Sequence, residues 1–165
     1  MGIPQVEVTL SLLEMFRERT LATLAAIEKL PHPEKALGWR PGPGRAHIGW
    51  QMMHIAVTEE LFATERFLGT APAYPELVPR FKGGSTPDDN IPSLSELRDV
   101  LTQSRSHLRA TLLKLTEADL GVIPEALKQR GLTIGKALQI IAWHETHHQG
   151  QAHITLNLFN AAGVS

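Results

Sequence analysis

The sequence contains no cysteine. That single absence excludes disulfides, thiolate-based zinc sites and a cysteine nucleophile. Any transition-metal site must then be built from histidine and carboxylate. The lack of cysteine also fits a cytoplasmic protein. No long uncharged apolar run is present, so no membrane-spanning helix is expected. The first residues carry Glu7 and Glu14 and lack a basic segment leading into an apolar one, so no secretory signal is expected. Lys and Arg (16) nearly balance Asp and Glu (17), and they are scattered rather than clustered. Such a surface offers no electrostatic footprint for nucleic acid or an anionic membrane. Strand-like alternation, internal repeats, low-complexity tracts and an interdomain linker are missing as well.

What remains is an ordinary globular balance, 42% hydrophobic and 20% charged over 165 residues. One domain covering residues 1–165 is expected. Four segments show helical periodicity, separated by stretches rich in proline and glycine. The first runs from about Val8 to Leu30 on Leu10, Leu13, Phe16, Leu21, Leu24 and Ile27, and Pro31 and Pro33 end it. The second covers roughly Ala46 to Leu68 and is closed by Gly69 and Pro72. A long connection without a strong period follows, up to Pro92. Ser93 then has the position of an N-cap, with Glu96 three residues on. The third helix carries the stripe Leu94, Leu97, Leu101, Leu108, Leu112 and Leu115 and stops near Thr116. The fourth starts after Thr133 and runs to about Asn160. The fold class is therefore all-α: a four-helix bundle with a long crossover between helices 2 and 3. The unequal connections suggest something other than a plain up-down order.

Eight histidines are generous for such a chain. His144 and His148 lie four residues apart, about 40° around a helix axis, so they share a face. They continue the apolar series Ile134, Leu138 and Ile141, which places that face toward the interior. Burying two unpaired imidazoles is costly, and a metal ion would satisfy both. His54 offers a third ligand from the helix-2 stripe of Trp50, His54, Val57 and Leu61. Three imidazoles with an open position describe a catalytic rather than a structural zinc-type site. The competing reading is three hydrogen-bonded core histidines with no metal. His147 lies about 100° from His148 and off the ligand face. His153 is expected at the surface, His47 at the mouth of the site or solvated at a helix start, and His32 and His107 in solvent. Glu59, about one turn beyond His54, is at most a partner to a ligand.

Residues 144–148 also spell His-Glu-x-x-His, the metalloprotease signature. The context is wrong for it. Gly150 and His153 fall one residue short of metzincin spacing, and no Glu follows Glu145 to serve as a third ligand. Glu145, about 100° around the helix from His144, is a doubtful general base.

The segments Pro41-Gly42-Pro43-Gly44, His47-Ile48-Gly49-Trp50, Met53-His54-Ile55-Ala56, Thr133-Ile134-Gly135-Lys136-Ala137-Leu138 and His144-Glu145-Thr146-His147-His148-Gln149-Gly150-Gln151 together resemble the DinB superfamily. These are small bacterial metal-binding bundles that include YfiT-like metal-dependent hydrolases. The resemblance covers nearly the whole chain, and the histidine segment ending in Gly-Gln is its most specific part. It implies metal ligands at His54, His144 and His148, bound zinc or nickel, an unusual crossover topology and a homodimer. Members related by fold include transferases and isomerases that act with the low-molecular-weight thiols bacillithiol or mycothiol. This chain departs from the pattern at His47, where relatives often have Ser or Thr near the start of helix 2. It departs again at Gln149, where they often have a basic residue after the last ligand.

The expected function is that of a metal-dependent enzyme, a hydrolase or a thiol S-transferase acting on a small molecule. A non-catalytic metal-binding stress-response protein is the alternative. An open divalent metal site lowers the pKa of either a water or a thiol, so the ligands alone do not choose between the two reactions. The sequence singles out no catalytic residue.

Overall fold

The structure, a computed structural model, describes residues 4–163 and contains no strand among them. Four long helices make the bundle: α1 (Gln5–Glu28), α3 (Ile48–Leu61), α5 (Leu94–Leu112) and α6 (Ile134–Ala161), with short α2 (Pro33–Gly38) and α4 (Val78–Phe81) in the connections. Beyond Leu61 the second long helix widens into a π-helical turn, Phe62–Arg66. It ends at Gly69, whose φ of +66° suits glycine. Two 3₁₀ turns, Glu117–Gly121 and Glu125–Arg130, lead into α6.

The termini follow from local chemistry. Ser93 and Thr133 cap α5 and α6 by accepting hydrogen bonds from Glu96 N (3.1 Å) and Lys136 N (3.2 Å). Pro33, expected only as a terminator, also opens α2 at its first turn, where a missing N–H costs nothing.

α1 packs on α6 and α5, and α3 packs on the same two helices. The two helices first in sequence therefore stand diagonally across the bundle, as do the last two. This is the departure from up-down order that the long crossover permits. α3 is the innermost element, with all of its residues from Ile48 to Leu61 buried. The amphipathic stripe expected there is absent, because α2, α4 and the crossover cover the side that α5 and α6 leave open.

The apolar core falls into two clusters. One gathers Leu24, Ile27, Met53, Leu97, Leu101 and Phe159. The other gathers Leu13, Phe62, Leu108, Leu112, Leu138 and Ile141. Between them lies a layer of buried charge. Arg17 of α1 donates to Glu59 Oε2 of α3 and to Glu145 Oε1 of α6, each at 2.7 Å. Arg105 of α5 pairs with both carboxylates. Thr20 Oγ1 donates to Glu145 Oε1 at 2.8 Å, and the two guanidiniums also reach the carbonyls of Leu101 and Leu13. Burial opposes the charge on Arg17, but Glu59 and Glu145 outweigh it and its pKa rises. Each of the four long helices contributes one member. The layer thus fixes their register, which is the best-attested use of buried charge.

Candidate metal centre

His54 projects from α3, and His144 and His148 project from α6. Their ligand-capable nitrogens all lie within 4.8 Å of one another. The ring centroids stand 4.4 to 4.7 Å apart, and His54 Nε2 is 3.0 Å from His144 Nε2. His54 is buried, whereas His144 and His148 are only half-buried. The face of α6 expected to be interior is buried through Ile134, Leu138 and Ile141, but at His144 and His148 it reaches the rim of the bundle.

The outer nitrogens explain the orientation. Phe81 O can only accept, so His54 Nδ1–H donates to it at 2.5 Å and its Nε2 carries the lone pair. His148 Nδ1 meets Gln51 Oε1 at 2.5 Å and, by the same reasoning, also presents a bare Nε2. Trp50 stacks on the His54 ring at 4.6 Å and fixes its plane. Partners of this kind set the tautomer and aim of histidines that ligate metals.

Burial holds all three imidazoles neutral. The pKa of His54 is lowered by desolvation; that of His144 falls to about 2 and that of His148 to about 3, from desolvation and then from neighbouring imidazoles. Neutral imidazoles with convergent lone pairs are the donor set that a divalent transition metal takes. The residues fit such an ion. The chain could supply three ligands, and one side of the group opens into a cleft of about 300 Å³.

The crossover, featureless in sequence, builds one wall of this site. Along α3, His47 Nε2 donates to Asp88 O (3.0 Å), Trp50 Nε1 to Arg80 O (3.0 Å) and His54 Nδ1 to Phe81 O. Arg80 in turn grips Asp88 through two hydrogen bonds of 2.9 and 3.1 Å, which holds the Asp88 carboxyl below its usual range. Gly49 leaves the room this requires, because a Cβ there would meet Pro92 Cδ at 3.2 Å and Ile91 Cγ2 at 3.3 Å.

Other sequence expectations need correction. His47 is fully buried and lines no mouth. Its Nδ1 accepts from Trp50 N at 3.0 Å, so the imidazole does the capping work of a Ser or Thr. Desolvation lowers its pKa and keeps that acceptor available. His107 is half-buried rather than solvated, with Nδ1 2.8 Å from Glu60. Glu59 and Glu145 touch no ligand histidine and belong to the charged layer. His147 is exposed, stacks on Trp143 and accepts from Gln151 Nε2 at 2.8 Å. His153 and His32 are exposed, as expected.

Gln51 and Phe81, which aim the ligands, were not singled out from sequence. Gln51 could have been, as a polar residue one turn before His54 inside an otherwise apolar helix; a carbonyl such as Phe81 O leaves no mark in the sequence. A larger hollow of about 500 Å³ lies beyond Trp50 and Gln51, bordered by Pro41, Arg45, Pro87 and Ile154. Among the described residues it holds no metal-ligating cluster, whereas the smaller cleft is lined by all three histidines. No described helix is long and apolar enough to cross a membrane.

Comparison with known proteins bears on the family and the fold. No curated protein matches the chain. A crystal structure titled as a conserved protein from Enterococcus faecalis superposes with a TM-score of 0.70 at 20% identity, covering 95% of this chain and 98% of that one. It shares the fold. Residues 12–152 match the family model of the DinB superfamily, a span that includes all three histidines of the site. The chain belongs to the DinB superfamily.

Proposed function

We propose that the chain is a metal-dependent enzyme of small-molecule chemistry, a hydrolase or a thiol S-transferase, with one divalent ion held by His54, His144 and His148. The observation that carries this reading is the combination of three convergent neutral imidazoles with an open side. A purely structural metal site would be closed by a fourth protein ligand. Here no carboxylate is near enough to join the three among the described residues. When bound, the ion supplies a Lewis acid that lowers the pKa of a water or thiol at the open position. The donor set suits zinc or nickel.

The protein's own part is orientation and exclusion. Phe81 O and Gln51 lock two of the rings, Trp50 stacks on the first of them, and Trp143 borders the cleft. No carboxylate lines the cleft to act as a base, and Glu145 is committed to two guanidiniums. A proton leaving the reacting group must pass to solvent or to the substrate itself. That favours a nucleophile already ionised at neutral pH, as a thiol is at such a site. We therefore place thiol transfer ahead of hydrolysis.

The test is turnover by zinc- and nickel-loaded protein, with thiol acceptors and with esters. Activity should vanish on chelation and in His144→Ala. Metal binding without turnover of either class would favour the non-catalytic metal-binding protein.

A further inference from the structure

The cleft that reaches the three histidines is also bordered by Arg66 and Arg130. Among the described residues neither guanidinium has an ion-pair or hydrogen-bond acceptor, although every other arginine of the core and crossover is engaged. Arg66 is half-buried and lies over the Phe62 ring, 4.2 Å from its centroid, which occupies one face and leaves the N–H edges free. Its neighbour in sequence, Glu65, is exposed and makes no ion pair with it. The π-helical turn Phe62–Arg66 is the only such turn among the described residues. An extra residue in a helical turn re-aims the side chains that follow, and such turns concentrate at functional sites. Burial first and then the nearby Arg130 lower the pKa of Arg66, and the exposed Glu65 offsets this only in part. No Asp or Glu lines the cleft.

We propose that Arg66 and Arg130 form an anion-binding subsite, so that the substrate carries a carboxylate or phosphate set apart from the atom it presents to the metal. This rests on the metal reading above and extends it to the class of substrate. Two guanidiniums recognise either oxyanion through charge-assisted hydrogen bonds. With three neutral ligands on a divalent ion, the cleft would hold positive charge alone, and an anionic small molecule is its electrostatic complement.

The experiment is calorimetric titration of the zinc-loaded, full-length chain with three matched thiols: 3-mercaptopropionate, 2-mercaptoethylphosphonate and neutral 2-mercaptoethanol. At least one anionic thiol should bind about tenfold tighter than the neutral one, the value of one charge-assisted contact. Which of the two gains more identifies carboxylate or phosphate as the preferred group. In Arg130→Ala, at an exposed position, and in Arg66→Ala that advantage should shrink to about threefold or less, with affinity for the neutral thiol unchanged. Arg66→Lys, which keeps the charge, should restore part of it if Arg66→Ala loses helicity by circular dichroism. Equal affinity for all three thiols on zinc-loaded protein, or an advantage that survives both substitutions, overturns the subsite alone. A wild-type chain that retains no zinc overturns the metal reading, and this inference with it.

Discussion

His144 and Glu145 are neighbours in the chain and enter opposite environments. His144 turns toward the rim, where three neutral rings converge beside a cleft. Glu145 turns inward, where its carboxylate accepts from Arg17, Arg105 and Thr20 with no solvent contact. One residue of helix rotation, about 100°, separates a site built to remain incomplete from one built to be saturated. The lesson concerns satisfaction rather than burial. Every member of the charged layer has its partners inside the chain, so the layer contributes register. His54 and His148 engage Phe81 and Gln51 through one ring nitrogen each, and the other nitrogens converge with one of His144, a group that could hold a metal ion.

The largest effect should come from breaking the saturated region. Glu145→Gln leaves Arg17 and Arg105 with one carboxylate between them, and removing one partner of a buried ion network typically costs about 3–5 kcal/mol. Urea denaturation of the metal-free protein should show a loss of that order. An unchanged midpoint would mean that the layer is not the register device described here. His144→Ala should shift the same midpoint by no more than about 1 kcal/mol, because a half-buried residue at a cleft loses little packing.

Next in size is the support of the ligands. Gln51→Leu removes the acceptor that aims His148 and should weaken metal affinity by about 10- to 100-fold while leaving one site per chain. A competition titration with a chromogenic chelator would measure it, and wild-type affinity would show that Gln51 has no hold on the ligand.

A slope with pH is expected as well. His144 and His148 have pKa values lowered from the ordinary 6.5 to about 2 and about 3. Below 6.5 the unfolded chain takes up protons at these positions that the folded chain refuses, so metal-free stability should fall as pH drops through that window. Above pH 6.5 these two groups should contribute no slope. The pH dependence of the denaturation midpoint in wild type and in a His144→Ala/His148→Ala variant isolates the contribution. Parallel curves between pH 4 and 6.5 would contradict the neutral, desolvated state assigned to the rings.

Much of this was legible in the sequence, and the misses have a common cause. Helix periods, proline and glycine breaks and the cap at Ser93 are local signals, and the helices they mark are present. The trio of histidines was legible because aromatic nitrogen bases interrupted apolar stripes at helical spacing. The stripe is legible as far as Ile141, and beyond it the buried residue is Glu145 rather than His144. The deeply buried series on α6 is Ile134, Leu138, Ile141, Glu145, Ala152, Leu156 and Phe159, which runs through the glutamate and leaves the histidines on its flank. A carboxylate in that series has meaning only beside Arg17 and Arg105, which occupy matching positions in the stripes of α1 and α5. Pairing across helices is a tertiary fact that periodicity in a single segment does not carry. The crossover was opaque for a related reason: it contributes the carbonyls of Arg80, Phe81 and Asp88, and backbone atoms have no sequence signature.

The central claim is that the open region holds one metal ion through three histidines. Elemental analysis after loading with zinc and exhaustive dialysis tests it directly, on wild type and on His54→Ala, His144→Ala and His148→Ala. The prediction is about one zinc per wild-type chain and well under half in each variant, with all four proteins equally helical. A wild type that dialyses free of metal, or variants that retain a full equivalent, would contradict it.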